Sequence, residues 1–153
     1  MRYMPGARSK PFSQAAQTVR DSPVCQAMTD AWRRGAALAG SSAGAVGFGE
    51  WTLIRKAYSG HAERRYKPAL DLVPHVAAPP FDAFGHRRVD TALAEPPAED
   101  IVIVGIDEPS AVVWDGRKWT ARGRRRITVA TTTDRRVYDP GMSVELPAPP
   151  TGG

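Results

Sequence analysis

The feature that most constrains this chain is a short apolar segment that runs into Gly-Ser-Ser-Ala-Gly at residues 40–44. An apolar strand followed by Gly-x-Ser-x-Gly predicts a nucleophile elbow, a sharp strand-to-helix turn that exposes the central serine, here Ser42. Gly40 and Gly44 carry no side chains that would clash where the helix folds back across the strand. The backbone N–H of Ala43 would then point at an oxyanion forming on an attacked carbonyl. The motif predicts acyl-transfer chemistry, although Gly-Ser-Ser-Ala-Gly also occurs in ordinary tight loops.

Other glycine-loop chemistries do not match this segment. No Gly-Lys-Ser/Thr follows it, as a phosphate-binding loop requires, and the spacing of Gly44, Gly47 and Gly49 is wrong for a dinucleotide-binding loop. We therefore predict no cofactor and no metal.

Length and composition predict a single globular domain. The 153 residues are enough for one domain with a real core, and 14 prolines and 14 glycines indicate many turns. We expect residues 1–11 to be disordered or to complete a strand. A single α/β domain is expected over residues 12–145, and a disordered tail over residues 146–153.

Cysteine content and hydropathy indicate a cytoplasmic location. The single cysteine, Cys25, excludes an internal disulfide and fits a reducing compartment. No positively charged and then apolar leader opens the sequence. The longest apolar region, residues 36–49, is broken by glycines and serines, so no membrane span is predicted.

The net charge of +5 raises the question of nucleic-acid binding. Its best local support is a basic and aromatic region made up of Trp114, Arg117, Lys118, Trp119, Arg122, Arg124, Arg125 and Arg126. Most of these arginines surround Gly123, where a turn between two strands would simply expose them to solvent. Because no nucleic-acid-binding motif accompanies them, we favour the interpretation that these arginines are simply exposed in a turn. A basic module that binds nucleic acid is kept as an alternative hypothesis.

Two helices are predicted before the elbow. Residues 12–20 have apolar residues at helical spacing. A second helix is predicted to begin after Ser22, which is a suitable N-cap, with Pro23 in its first turn. Gly35 ends this helix. A helix, a tight turn and then an apolar strand is the order typical of a parallel α/β sheet.

After the elbow, the sequence predicts a helix over residues 43–56, followed by a loop or short helix over residues 58–67. A short strand is predicted at residues 76–78, because the consecutive prolines Pro79 and Pro80 would end it.

The carboxyl-terminal third is predicted to be rich in β-structure. Residues 101–106 form a continuous apolar run that is typical of a buried strand. Asp115-Gly116 is a turn signal. Short strands connected by hairpins are predicted at residues 111–114, 118–121, 127–131 and 136–138.

Four separated blocks occur in a recognisable order: residues 40–45, Leu-Val-Pro at 72–74, Phe-Asp at 81–82, and Gly-Ile-Asp-Glu with a later alanine at 105–111. They resemble the dipeptidase E and cyanophycinase family of serine peptidases, which have a glutamine-amidotransferase-like, flavodoxin-like α/β fold with a parallel sheet. The resemblance implies that Ser42 is the nucleophile, that Ala43 supplies an oxyanion N–H, and that the substrate is a peptide or amide.

The sequence departs from this family at the general base. The family has Pro-His-Phe where this chain has Pro-Pro-Phe, so Pro80 occupies the position of the histidine that takes the serine proton. The other histidines are His61, His75 and His86. His75 precedes Pro80 by five residues and His86 follows it by six, so neither replaces the missing imidazole in register. Each is expected to be an exposed loop histidine.

The sequence also differs from the family pattern at the acidic partner of the base and in the amino-terminal part of the fold. Glu63 and Asp71 are candidates for the carboxylate that orients the base, and neither can be aligned. Asp107 and Glu108 match a family block, yet an acidic turn after a strand would look the same, and we assign them no catalytic role. Family members carry further strand–helix units and a glycine-rich oxyanion loop before the elbow, to which residues 3–8 would correspond.

Three functions are therefore predicted as alternatives. The first is a serine hydrolase of the peptidase type, and the second is a relative that keeps the fold but has lost turnover. The third is the basic binding module. The sequence specifies no oligomeric state.

Overall fold

The computed structural model describes residues 2–4, 22–58, 61–78 and 85–150. In these ranges the chain forms eleven strands and three helices. The strands are β1 (Arg2–Met4), β2 (Leu38–Gly40), β3 (Gly49–Tyr58), β4 (His61–Pro68), β5 (Val73–Ala77), β6 (Val102–Ile106), β7 (Ser110–Trp114), β8 (Trp119–Gly123), β9 (Ile127–Ala130), β10 (Arg135–Tyr138) and β11 (Ser143–Val144). The helices are α1 (Pro23–Arg33), α2 (Ala43–Val46) and α3 (Gly85–Ala94).

The largest sheet has six strands in the order β10-β9-β6-β5-β3-β4. Its central strands β6, β5 and β3 are parallel, whereas β4, β9 and β10 pair antiparallel at the two sides. A parallel pair, β1-β2, and an antiparallel sheet, β11-β8-β7, complete the described strands. The predicted α/β class and the β-rich carboxyl-terminal end are confirmed.

Helix α1 begins and ends where the sequence predicts. The Ser22 side chain caps it by accepting a hydrogen bond from the N–H of Cys25 at 3.1 Å, and Pro23 occupies the first turn. Gly35 follows the helix with a φ of 92°, a conformation that favours glycine. Cys25 is buried. The other predicted helix, at residues 12–20, lies outside the described residues.

The prediction of a helix over residues 43–56 is wrong beyond its first turn. Helix α2 ends at Val46, and residues 49–58 form β3, between β5 and β4. Trp51 and Leu53 pack in one apolar cluster while Thr52 between them is also buried, as expected for a strand covered on both faces. Pairing with two neighbouring strands outweighed the local helical pattern.

In the segment predicted as a loop or short helix over residues 58–67, the described residues form strands, since Tyr58 ends β3 and residues 61–67 belong to the next strand. This next strand is β4, paired antiparallel with β3 from Trp51↔Pro68 to Tyr58↔His61. Because β4 is at the edge of the sheet, its many charged residues fit the position, and charges on an edge strand oppose pairing with another chain.

Two apolar clusters form the core. One lies where β3, β5 and β6 pack against α3, and includes Ala77, Val89 and Ile103, all of which are fully buried. The other joins the six-stranded sheet to the β11-β8-β7 sheet. Strands β8 and β9 are thus not a hairpin, since they belong to different sheets.

The end of the described chain contacts the β7–β8 hairpin. Leu146 packs against the second cluster, and the indole N–H of Trp119 donates to the carbonyl of Pro147 at 2.8 Å. In the turn of the same hairpin, next to Trp119, the Asp115 carboxylate accepts from the backbone N–H groups of Lys118 and Arg117, each at 2.9 Å. These bonds lower the pKa of the Asp115 carboxyl.

Replacing Tyr66 with phenylalanine is expected to destabilise the protein by about 1 kcal/mol. The Tyr66 hydroxyl donates to the carbonyl of Ala92 at 2.7 Å, which ties β4 to α3, and burial raises the pKa of the phenol. Urea unfolding followed by circular dichroism measures the change. Tyr138→Phe is the matched control, because among the described residues the buried Tyr138 hydroxyl forms no hydrogen bond of good geometry, so its loss should cost less. An equal or larger loss for Tyr138→Phe contradicts this account.

Candidate active site

Ser42 lies in a strained turn between β2 and α2. Its φ is 50° and its ψ is −123°, values that are rare for residues other than glycine. Ser42 is exposed, and its side chain makes no capping hydrogen bond to α2. The hydroxyl is therefore available to a molecule from solvent, and a strained residue in this position is typical of functional sites.

The turn requires glycine at residue 40. A Cβ atom built on Gly40 would lie 2.7 Å from the carbonyl carbon of Gly44 and 2.9 Å from the nitrogen of Ala45. Real Cβ atoms essentially never approach backbone this closely. The first turn of α2 thus folds directly against the end of β2, and Gly44 itself is buried.

The backbone N–H of Ala43 is the first hydrogen-bond donor that follows Ser42 along the chain. The next N–H, of Gly44, is already used by the carbonyl of Ser41 at 2.9 Å. Within the described part of the chain, the N–H of Ala43 donates to no protein acceptor, as expected for the first residue of a helix. An exposed hydroxyl and an unused N–H therefore sit on adjacent residues.

Strand β1 supports β2 from one side. The two strands are parallel, with Met4 opposite Gly40, so the chain after Met4 starts at the same end as the turn. Residues 5–8, where the sequence places the rest of an oxyanion loop, lie outside the described residues.

The predicted base position also lies outside the described residues. Pro80 follows β5, which ends at Ala77, so residue 80 comes shortly after the carboxyl end of a central parallel strand. All three histidines are in regular elements rather than in loops, since His61 begins β4, His75 lies in β5 and His86 is in the first turn of α3.

His75 is held at the other end of the strands. Its Nδ1 lies 2.7 Å from a carboxylate oxygen of Asp100, which directly precedes the segment leading into β6. Its backbone N–H donates to the Glu50 carboxylate at 2.8 Å, and its φ is 60°. Because Val76 pairs with Val102, the first residue of β6, this pair lies at the amino end of that strand.

Sequence reasoning missed the partners of His75. Asp100 and Glu50 are each 25 residues from His75 in the sequence, and no local pattern connects them. The signal that could have found them is the parallel pairing of β5 with β3 and β6, which brings the amino ends of these strands together.

The four acidic residues lie in three different parts of the fold. Glu63 is in edge strand β4, opposite Lys56. Asp71 has a φ of 54°, and its N–H donates to the carbonyl of Gly49. Asp107 follows β6, with its carboxylate accepting from the N–H of Arg126 at 3.4 Å, and Glu108 is exposed in the turn before β7.

The predicted basic region extends from the end of β7 through the β7–β8 turn and β8 into the turn between β8 and β9. Its last three arginines line a groove of about 580 Å³, which we call the arginine groove, formed by Asp107, Arg124, Arg125, Arg126, Thr128, Val137, Asp139 and Pro140. No helix among the described residues is long and apolar enough to cross a membrane. In the same part of the chain, no three histidine, cysteine, aspartate or glutamate side chains converge as a metal site would need.

Comparison with known proteins identifies a family. The sequence profile of peptidase family S51 matches residues 14–122. The chain is also similar to the crystal structure of a peptidase from an acI-B1 Actinobacterium, with a TM-score of 0.72 and 22% sequence identity. That match covers 94% of this chain and 58% of the other, so the chain spans a little over half the length of this structural relative. No curated protein is recognisably similar in sequence.

Proposed function

Because the chain belongs to peptidase family S51, we propose that it is a serine-type peptidase or amide hydrolase in which Ser42 is the nucleophile. The observation that carries the proposal is the backbone of Ser42, whose φ of 50° and ψ of −123° turn an exposed hydroxyl away from β2. A nucleophile elbow needs such a strained strand-to-helix turn with glycines on both sides. Gly40 and Gly44 meet that requirement here.

In the proposed reaction the Ser42 oxygen attacks the carbonyl carbon of a peptide or amide bond. The carbonyl oxygen becomes an oxyanion, to which the unused N–H of Ala43 donates. Collapse of this tetrahedral intermediate expels the amine and leaves an acyl group on Ser42. Water then releases the acid and restores the serine.

The proton of the Ser42 hydroxyl must go to a base before attack, and Pro80 cannot accept it. His75 is a poor substitute, because it lies beside the amino end of β6, whereas elbow nucleophiles follow the carboxyl ends of strands. This observation favours a second candidate function, a relative that keeps the turn and the fold but no longer turns over substrate.

The proposal also covers the class of substrate, the location, the cofactor and nucleic-acid binding. We propose peptides or amides as substrates and the cytoplasm as the location, in keeping with the single cysteine. We propose no cofactor and no role in binding nucleic acid.

Replacing Ser42 with alanine is expected to lower peptide or amide hydrolysis by at least about a hundredfold, because the nucleophile is removed. Release of new amino groups from a mixture of short peptides measures the rate. Ser41→Ala is the matched control, since Ser41 is the adjacent exposed serine. Hydrolysis that survives Ser42→Ala, or that Ser41→Ala reduces equally, rules out Ser42 as the nucleophile. Absence of hydrolysis in the unmodified chain favours the second candidate.

A further inference from the structure

Hydrogen bonds hold the backbone at one wall of the arginine groove. Three consecutive N–H groups in the turn from β8 to β9 donate to residues 107–110, which lead from β6 into β7. The N–H of Arg124 donates to the carbonyl of Pro109 at 3.1 Å, and that of Arg125 donates to the Ser110 hydroxyl at 2.9 Å. The N–H of Arg126 donates to Asp107. The arginine side chains therefore start from fixed positions on one wall of the groove.

Two of the three guanidinium groups have no partner in the described part of the chain. Arg126 lies 3.4 Å from the Asp139 carboxylate, so their charges offset each other. Among the residues that the structure describes, the side chains of Arg124 and Arg125 form no ion pair and no hydrogen bond. The Asp107 carboxylate accepts from a backbone N–H and adds a second negative charge to the lining. Because three arginines face two aspartates, the groove keeps a net positive charge, and Arg124 and Arg125 are both exposed.

We propose that the arginine groove binds an oxyanion of the phosphate type, either free or as a small phosphate ester, between Arg124 and Arg125. A guanidinium presents a planar fork of N–H donors that matches the oxygens of a phosphate group. The Thr128 side chain at the wall can supply a further hydroxyl donor. The site is independent of Ser42, because no step of the proposed hydrolysis uses these arginines.

The surroundings favour a small ligand over a nucleic-acid strand. A strand needs a continuous positive track along its phosphates. Next to the groove, Arg135 is paired with Asp90, and Arg136 is paired with Asp134 and Glu145. These carboxylates offset the charges of β10, so no continuous positive track extends from the groove along that strand.

Isothermal titration of the full chain with inorganic phosphate, at constant ionic strength, tests the proposal. We expect a dissociation constant on the order of 1 mM, and at least about tenfold weaker binding in the double variant Arg124→Gln/Arg125→Gln. Arg122→Gln is the matched control, because Arg122 is exposed on β8 but does not line the groove. It should change the constant less than about twofold. Ser42→Ala should bind like the unmodified chain.

Adenosine monophosphate distinguishes a phosphate ester from the free ion as the ligand, and a single-stranded oligonucleotide tests nucleic-acid binding. Tighter binding of adenosine monophosphate than of phosphate would support an ester as the ligand, and equal binding would support the free ion. Equal weakening by Arg122→Gln and by the double variant overturns the proposal. The proposal is also overturned if a single-stranded oligonucleotide binds tightly while phosphate does not bind at roughly 20 mM, which is 20 times the expected dissociation constant.

Discussion

Replacing Pro80 with histidine is expected to raise the rate at which a fluorophosphonate modifies Ser42 by about a hundredfold, the usual size of a general-base effect. The reason is chemical: proline has no titratable group, and an imidazole at this position could accept the serine proton as the hydroxyl attacks phosphorus. Residue 80 follows the carboxyl end of β5, the end at which bases act on elbow serines in α/β folds. The time course of intact mass at neutral pH measures the rate.

Two controls make the Pro80→His result specific. Pro79→His makes the same chemical change one residue earlier, where an extended chain would turn the imidazole to the other side. It should leave the labelling rate unchanged. Ser42→Ala in the Pro80→His background should abolish labelling. An unchanged rate in a Pro80→His protein that folds normally would show that residue 80 is not the base position.

Replacing Gly40 with alanine is expected to destabilise the protein by about 2 to 3 kcal/mol, as overpacking against fixed backbone does. The new methyl would lie 2.7 Å from the Gly44 carbonyl carbon, and its three nearest neighbours are all backbone atoms of Gly44 and Ala45, which cannot rotate away as a side chain could. The helix must shift away from β2, so Ser42 is displaced as well. A displacement of about 1 Å lowers reaction rates by about a hundredfold. We therefore expect slower labelling of Ser42 in the same variant.

Gly47→Ala is the matched control for Gly40→Ala. Gly47 follows α2 with ordinary helical angles, and a Cβ atom there would lie 3.6 Å or more from its neighbours. This change should alter the free energy of unfolding by less than about 0.5 kcal/mol. Urea unfolding and labelling rates are measured on both variants. If Gly40→Ala is as stable and as reactive as Gly47→Ala, the turn is not as tight as described.

The turn at Ser42 could be predicted because its constraints are local. A strand, a strained residue and a helix start follow one another within a few residues, so glycine positions alone indicate the geometry. Helix α1 was predictable for the same reason, since Ser22, Pro23 and Gly35 mark its ends. Turn chemistry and capping are properties of neighbouring residues, and the sequence presents them directly.

The strand after α2 could not be predicted in this way. Residues 49–58 carry apolar side chains at spacings that also fit a helix, and only pairing with β4 and β5 makes them a strand. The pair formed by His75 and Asp100 likewise depends on strands that are distant in sequence. Interactions between distant segments decide both features, and a local pattern contains no record of them.

The measurement that tests the central claim most directly is mapping of the fluorophosphonate adduct by peptide mass spectrometry, in the unmodified chain and in Pro80→His. We expect one adduct, on the peptide that contains Ser42. An adduct in the unmodified chain means that another group serves as the base and supports a peptidase. An adduct only in Pro80→His supports a relative with lapsed catalysis. An adduct elsewhere, or none in either folded protein, contradicts Ser42 as the nucleophile.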